Sequence, residues 1–193
     1  MKTIKEIFRS WAVFDAQGRH VNGTDKQSNH SYGDAYDQIL SVTERVDIGS
    51  NRIPLGTYSR SIRGDVRLMM EVGVADGSSL LAWSYVFPNA RCVGLDIHIA
   101  EKVAGGRYNN TEFHLGDQCV REDCERAAGG RMFDFIVEDA THQLANTLLT
   151  LFYLWPFVRP GGLLAGDDDG LPWEIDYLVL YPLEQDDSVP LTQ

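Results

Sequence analysis

The chain has 193 residues, about 1.3 times the rough 150-residue domain size, which points to one domain plus an appendage. With 17 Lys and Arg against 28 Asp and Glu its net charge is −11, an acidic balance that repels phosphate backbones and excludes nucleic acid as an expected partner. Its 44% apolar and 23% charged residues match an ordinary globular protein.

The three cysteines, Cys92, Cys119 and Cys124, are odd in number and lack CxxC or zinc-type spacing. They read as reduced thiols of a cytoplasmic protein. Lys5, Glu6 and Arg9 interrupt any signal-peptide core at the N-terminus, and no apolar run reaches the roughly 18–20 residues of a membrane span. A cytoplasmic chain without membrane contact is the expectation.

In chain order, Ile4, Ile7, Phe8 and Trp11 recur at three- and four-residue spacing and predict a short amphipathic helix packed on the rest of the fold. Residues 15–33 read as a polar loop, 34–46 as a helix, and 47–65 as a second turn-rich stretch. Residues 1–65 thus form an N-terminal helical and loop extension, and 66–193 a separate domain.

From residue 67 the pattern changes. RLMMEVGV reads as a strand, and DGSSLLAWSYVF as a helix behind a serine cap. ARCVGLDI (strand), a polar helix-like segment, TEFHLGD (strand) and a helix near 121–128 follow. Then come MFDFIVED (strand), a helix over about 145–158, and GGLLAGDDD (strand). Strands alternating with helices predict an α/β fold: a Rossmann-like three-layer sandwich, its sheet mainly parallel with helices on both faces. In such sheets ligands bind at the carboxyl ends of the strands.

Those ends are acidic. The first carries Glu71-Val72-Gly73-Val74-Ala75-Asp76-Gly77, a glycine turn that lets a ligand approach the backbone. The second ends at Asp96, about 20 residues on, where a carboxylate can accept ribose hydroxyls. The others end at Asp117, at Glu138-Asp139 and at Asp167-Asp168-Asp169. One acidic residue after a strand is ordinary turn chemistry; a full set along one sheet edge points to a nucleoside-type cofactor. Ala75 breaks the dinucleotide pattern G-x-G-x-x-G, and a net acidic site suits a cation such as the sulfonium of S-adenosylmethionine.

EVGVADGSS, GLDIH, HLGD, FDFIVEDATH and WPFVRPGGLLAGDDD resemble the class I S-adenosylmethionine-dependent methyltransferases. GTDKQSNHSYGDAYDQIL, at residues 23–40, is similar to a segment of the macrocin/mycinamicin-type sugar O-methyltransferases, and the likeness covers roughly residues 22–169. It implies a Mg2+-dependent transfer of a methyl group to a hydroxyl of a sugar or glycosylated small molecule. Asp139, Asp167 and Asp168 would hold Mg2+, and His142 would act as general base beside Asp139. The set Glu71, Gly73, Asp76, Gly77, Asp96, Asp117 and Glu138 is assigned to S-adenosyl-L-methionine. Thr24, Asp25, Lys26, His30 and Tyr32 are candidates for closing over cofactor or substrate.

The likeness ends after Asp169, where the remaining chain offers one strand-like run, 177–181. Shortened C-terminal strands leave a sheet edge to be covered by the N-terminal helix, a swapped tail or a partner, so a homo-oligomer is expected. Two other readings stay open: a non-catalytic S-adenosylmethionine-binding or oligomerisation subunit, and a cephalosporin-hydroxylase-like enzyme.

Overall fold

The computed structural model describes residues 2–14, 16–17, 20–24, 32–41, 46–50, 53–58, 66–98, 110–167 and 177–180. The polar segment 99–109, read from sequence as helix-like, lies outside them.

Helix α1 (Ile4–Trp11) starts at a capping box in which Thr3 Oγ1 accepts from the Glu6 amide and Glu6 accepts from the Thr3 amide. Strands β1 (Ala12–Phe14) and β2 (His20–Gly23) form a short antiparallel pair. Helix α2 (Tyr32–Ser41) stops earlier than the sequence pattern suggested. Val46 begins strand β3 (Val46–Ser50), which pairs antiparallel with β4 (Ile53–Tyr58). The stretch read as a turn-rich loop is therefore a hairpin. Its β-branched residues were diluted by Gly49, Pro54 and Gly56, which weaken the alternating pattern on which strand recognition rests.

The large sheet follows the expected alternation. Strand β5 (Leu68–Val72) leads to α3 (Ser78–Val86), then β6 (Arg91–Asp96), β7 (Thr111–Leu115), α4 (Arg121–Ala128) and β8 (Phe133–Glu138). Helix α5 (Leu144–Leu154) ends four residues before the sequence estimate. Pro156 has no N–H to continue the ladder, and a 3-10 turn (Trp155–Phe157) takes over. Strand β9 (Val158–Asp167) follows, and β10 (Tyr177–Leu180) completes a six-stranded sheet in the order β10-β9-β8-β5-β6-β7. β5 to β9 run parallel, whereas β10 is antiparallel to β9 with Tyr177 opposite Asp167. The strand-like run expected near 177–181 thus pairs with β9 and satisfies the backbone groups along that edge.

Successive strand residues face opposite layers. Met69, Cys92 and Phe135 join one apolar cluster, and Met70, Val93 and Ile136 the other. The first cluster also takes in Ile4, Ile7 and Phe8 of α1 and Tyr36 and Leu40 of α2. Trp83 sits at its centre, 4.7 Å edge-on from Phe8, 5.0 Å from Tyr36 and 5.4 Å from Phe135. The amides of Ile4 and Lys5 donate to the Asp37 carboxylate at 2.8 and 3.1 Å, so α2 caps α1. No helix among the described residues is long and apolar enough to cross a membrane.

Candidate functional site

The carboxyl ends of β5, β6, β7 and β8 open into a cavity of about 510 Å3, within the range of small-molecule sites. Parallel-sheet hydrogen bonding continues past the strands: Gly73 N donates to Leu95 O at 2.9 Å, Asp139 N to Val72 O at 2.8 Å and Gly116 N to Asp96 O at 2.9 Å. These bonds hold three strand-end loops around one space. It lies where the strand order reverses between β5 and β8, the position at which open α/β sheets bind ligands.

Gly73 has φ +86°, and a Cβ there would lie 2.2 Å from the Asp139 carbonyl oxygen. Only glycine fits that crossing. Two non-glycine residues of the cavity wall, Ala75 (φ 47°) and His142 (φ 50°), also hold left-handed backbone, a conformation that costs on the order of 1 kcal/mol or more and gathers at functional sites. The turn is fastened by Asp96, whose Oδ2 accepts from the amides of Val74 and Ala75, both at 2.8 Å. Its Oδ1 accepts from the His98 amide at 2.9 Å. A carboxylate with about four acceptor sites keeps capacity for a ligand hydroxyl after these three bonds.

Of the residues singled out from sequence, Gly73, Asp76, Asp96, Asp117, Asp139 and His142 line the cavity. Asp76 Oδ1 accepts from the Ser78 amide at 2.8 Å at the start of α3, whose N-cap is Gly77 and not the serine of the sequence reading. Asp117 Oδ1 accepts from the Cys119 amide at 2.8 Å. His142 Nε2 lies 3.6 Å from Asp139 Oδ1 in the loop before α5. Thr24, buried, joins the wall together with Gly23, so β2 reaches the site from the N-terminal segment. Asp25, Lys26 and His30 lie outside the described residues.

Three assigned residues fall outside the lining. Glu71 is fully buried and turned toward α3, where its carboxylate accepts from Ser79 Oγ at 2.9 Å and Trp83 Nε1 at 3.1 Å. The strand's two-residue period sends Val72 to the cavity and Glu71 away from it. Glu138 is likewise buried and accepts from Gln118 Nε2 at 3.0 Å. Burial pushes its carboxyl above the usual range, against hydrogen bonds from Thr147, Gln118 and the Ala140 amide. Gly77 closes the turn by donating to Val74 O at 2.8 Å and starts α3 with φ +94°.

Residues that sequence reasoning passed over include His98, Asn146 and Ala75. His98 follows Asp96 by two and Asn146 follows His142 by four, spacings that mark one loop and one helix start. Ala75 was read only as a break in the dinucleotide pattern, and its left-handed backbone carried no signal, because it is fastened by Asp96 from another strand.

The Glu138–Gly166 pairing of β8 and β9 brings Asp139 and Asp167 to neighbouring register positions at one sheet edge. Asp168 lies outside the described residues, and among those described no group of three or more His, Cys, Asp and Glu gathers as a metal site. As residue types, Asp139 and Asp167 carry hard carboxylate oxygens, the kind of donor Mg2+ takes.

This architecture is the Rossmann-like fold of the class I S-adenosylmethionine methyltransferases. The chain belongs to the Methyltransferase domain family, whose model matches residues 70–168, just over half of its length. Mycinamicin VI 2''-O-methyltransferase of Micromonospora griseorubida is 32% identical over 119 residues, covering 58% of this chain and 29% of that protein. Demethylmacrocin O-methyltransferase of Streptomyces fradiae is 28% identical over 122 residues, 58% of this chain and 29% of its own length. The 8-demethyl-8-alpha-L-rhamnosyl tetracenomycin-C 2'-O-methyltransferase of Streptomyces olivaceus is 24% identical over 147 residues, 76% of this chain and 35% of its own. The chain therefore spans about a third of the length of these relatives. Among solved structures, the MycE methyltransferase of the mycinamycin pathway, in complex with Mg and SAH, shares the fold at a TM-score of 0.62. It is 23% identical, covering 86% of this chain and 37% of MycE.

Proposed function

We propose that this chain transfers a methyl group from S-adenosyl-L-methionine to a hydroxyl of a sugar or glycosylated small molecule, with Mg2+ held by Asp139, Asp167 and Asp168. The observation that carries the reading is the Asp139–His142 pair in the cavity wall, with Asp139 packed against the Gly73 turn. The relatives, all O-methyltransferases and two of them named for a 2-position oxygen, support it.

When bound, the donor supplies a methyl activated by its sulfonium, and the divalent ion lowers the pKa of the acceptor hydroxyl. The chain's own part is placement and proton transfer. The Gly73 turn admits the donor against bare backbone, and Asp96 takes its ribose hydroxyls while holding that turn. Acidic side chains around the cavity, Asp76 and Asp117 among them, favour a cationic donor. His142 Nε2 takes the hydroxyl proton as the general base. Asp139 stabilises the imidazolium that results.

Calorimetric titration with S-adenosylmethionine, run with Mg2+ and then with chelator, tests the reading together with an acceptor screen. Binding is expected to survive chelation, and turnover of a glycoside hydroxyl to stop. His142→Ala should lower kcat by about 10^2–10^4 with donor affinity nearly unchanged. Absence of donor binding in both conditions would overturn the assignment.

A further inference from the structure

Helix α5 is apolar on two sides. Thr147, Thr150, Leu151 and Leu154 turn inward and are buried. Leu144, Leu148 and Phe152 recur every four residues on the outside, and Trp155 continues the stripe. Leu148 is 50% exposed and Phe152 66%. A helix that is hydrophobic all round is ordinarily covered on all sides, and a continuous exposed apolar face marks an interaction surface.

This stripe forms part of a groove of about 560 Å3 between α4 and the end of α5, lined by Leu148, Phe152, Tyr153 and Trp155 with Arg121 and Glu125 at its rim. The Arg121 guanidinium sits 5.6 Å from the Phe152 ring centre and 5.2 Å from that of Tyr153, bracing the protruding ring. Aromatic side chains with an arginine are the composition of energetically dominant interface residues.

We infer that this face is a twofold interface between two copies of the chain, the Phe152 of each copy entering the groove of the other. Three features select a second copy. A twofold contact requires knob and hole on the same patch, and Phe152, 66% exposed, projects from the wall of the groove its counterpart would fill. Two chains of net charge −11 repel unless they meet where charge is absent, and α5 carries no charged residue over its eleven positions. The rim holds one charge of each sign, Arg121 and Glu125, 3.8 Å apart and half exposed. A twofold axis sets Arg121 of one copy against Glu125 of the other, so the rim is self-complementary. The contact is independent of the methyl-transfer reading, since α5 turns this face away from the cavity that Asn146 lines.

Sedimentation equilibrium across micromolar to submillimolar loadings tests it. The wild-type chain is expected at the mass of two chains. Phe152→Asp should fall to one, with circular dichroism unchanged because the side chain is exposed. Arg121→Glu and Glu125→Arg should each weaken the dimer, and the double reversal should restore it, which a merely sticky surface would not do. A single-chain mass at every loading assigns the face to some other occupant and overturns the inference. So does a dimer that Phe152→Asp leaves intact, or a double reversal that stays monomeric.

Discussion

Gly73 and Glu71 stand two residues apart and act in opposite directions. At Gly73 the absence of a side chain opens the cavity, since any Cβ would press on the Asp139 carbonyl. Gly73→Ala combines that clash with a left-handed backbone and should cost about 3 kcal/mol or more, by overpacking and conformational strain together. Denaturant unfolding checks the loss, and donor affinity should fall with it. Glu71 instead holds the cavity's rear wall, joining β5 to α3 through Ser79 and Trp83. Burial, with the Glu71 charge adding to it, pushes the neighbouring Cys92 thiol up to about 12, so it stays protonated at neutral pH. Cys124 is raised to about 12 as well, mainly by burial.

At the scale of elements, the outer strand β7 is tied down by electrostatics. Its Glu112 accepts from Arg131 at 3.0 Å, from Arg91 at 2.7 Å and lies 2.5 Å from His114 Nε2. Partial burial pushes the Glu112 carboxyl up, but the hydrogen bonds from Arg131, His114 and Arg91 outweigh it and hold the group at about 2. A carboxyl depressed in the folded state binds fewer protons there than in the unfolded chain. Its stabilisation is therefore complete above the ordinary carboxylate value, about 4.3, and is lost as pH falls toward 2. Glu112→Gln should lower thermal stability at neutral pH and flatten the acid limb of a stability–pH profile. Parallel profiles for the two proteins would show that the cluster contributes nothing. Solvent screening keeps the effect modest, because these side chains are partly exposed.

Over the whole molecule, the N-terminal helices share one core with the sheet. Phe8 of α1 packs edge-on against Trp83, and Trp83 Nε1 reaches Glu71 beneath the cavity turn. Phe8→Ala should destabilise the entire fold by about 3–5 kcal/mol, in the range of large core truncations, and unfold it in one transition. Separate transitions for the N-terminal helices and the sheet, seen by circular dichroism and Trp fluorescence, would contradict a shared core. Thr24 extends the same link to function, since this residue just past the end of β2 forms part of the cavity wall.

Much of this was legible in the sequence. The order of strands and helices from residue 67 follows from apolar runs punctuated by Gly and Asp, and Asp96, Asp117 and Asp139 follow from strand ends alone, whereas His142 entered only through the family resemblance. Local pattern suffices there because parallel strands deliver their carboxyl ends to one edge. Other features depended on contacts remote in sequence. Whether Glu71 and Glu138 face the cavity is decided by the register of buried strands, where a two-residue period sends neighbours to opposite layers. The left-handed Ala75 is set by Asp96, and the covering of β9 by a strand whose first residue pairs with Asp167. The sequence by itself determined which chemistry stands at the sheet edge. Only the tertiary structure decided which of those carboxylates turn inward to brace the fold, because that choice is made by packing between segments far apart in the chain.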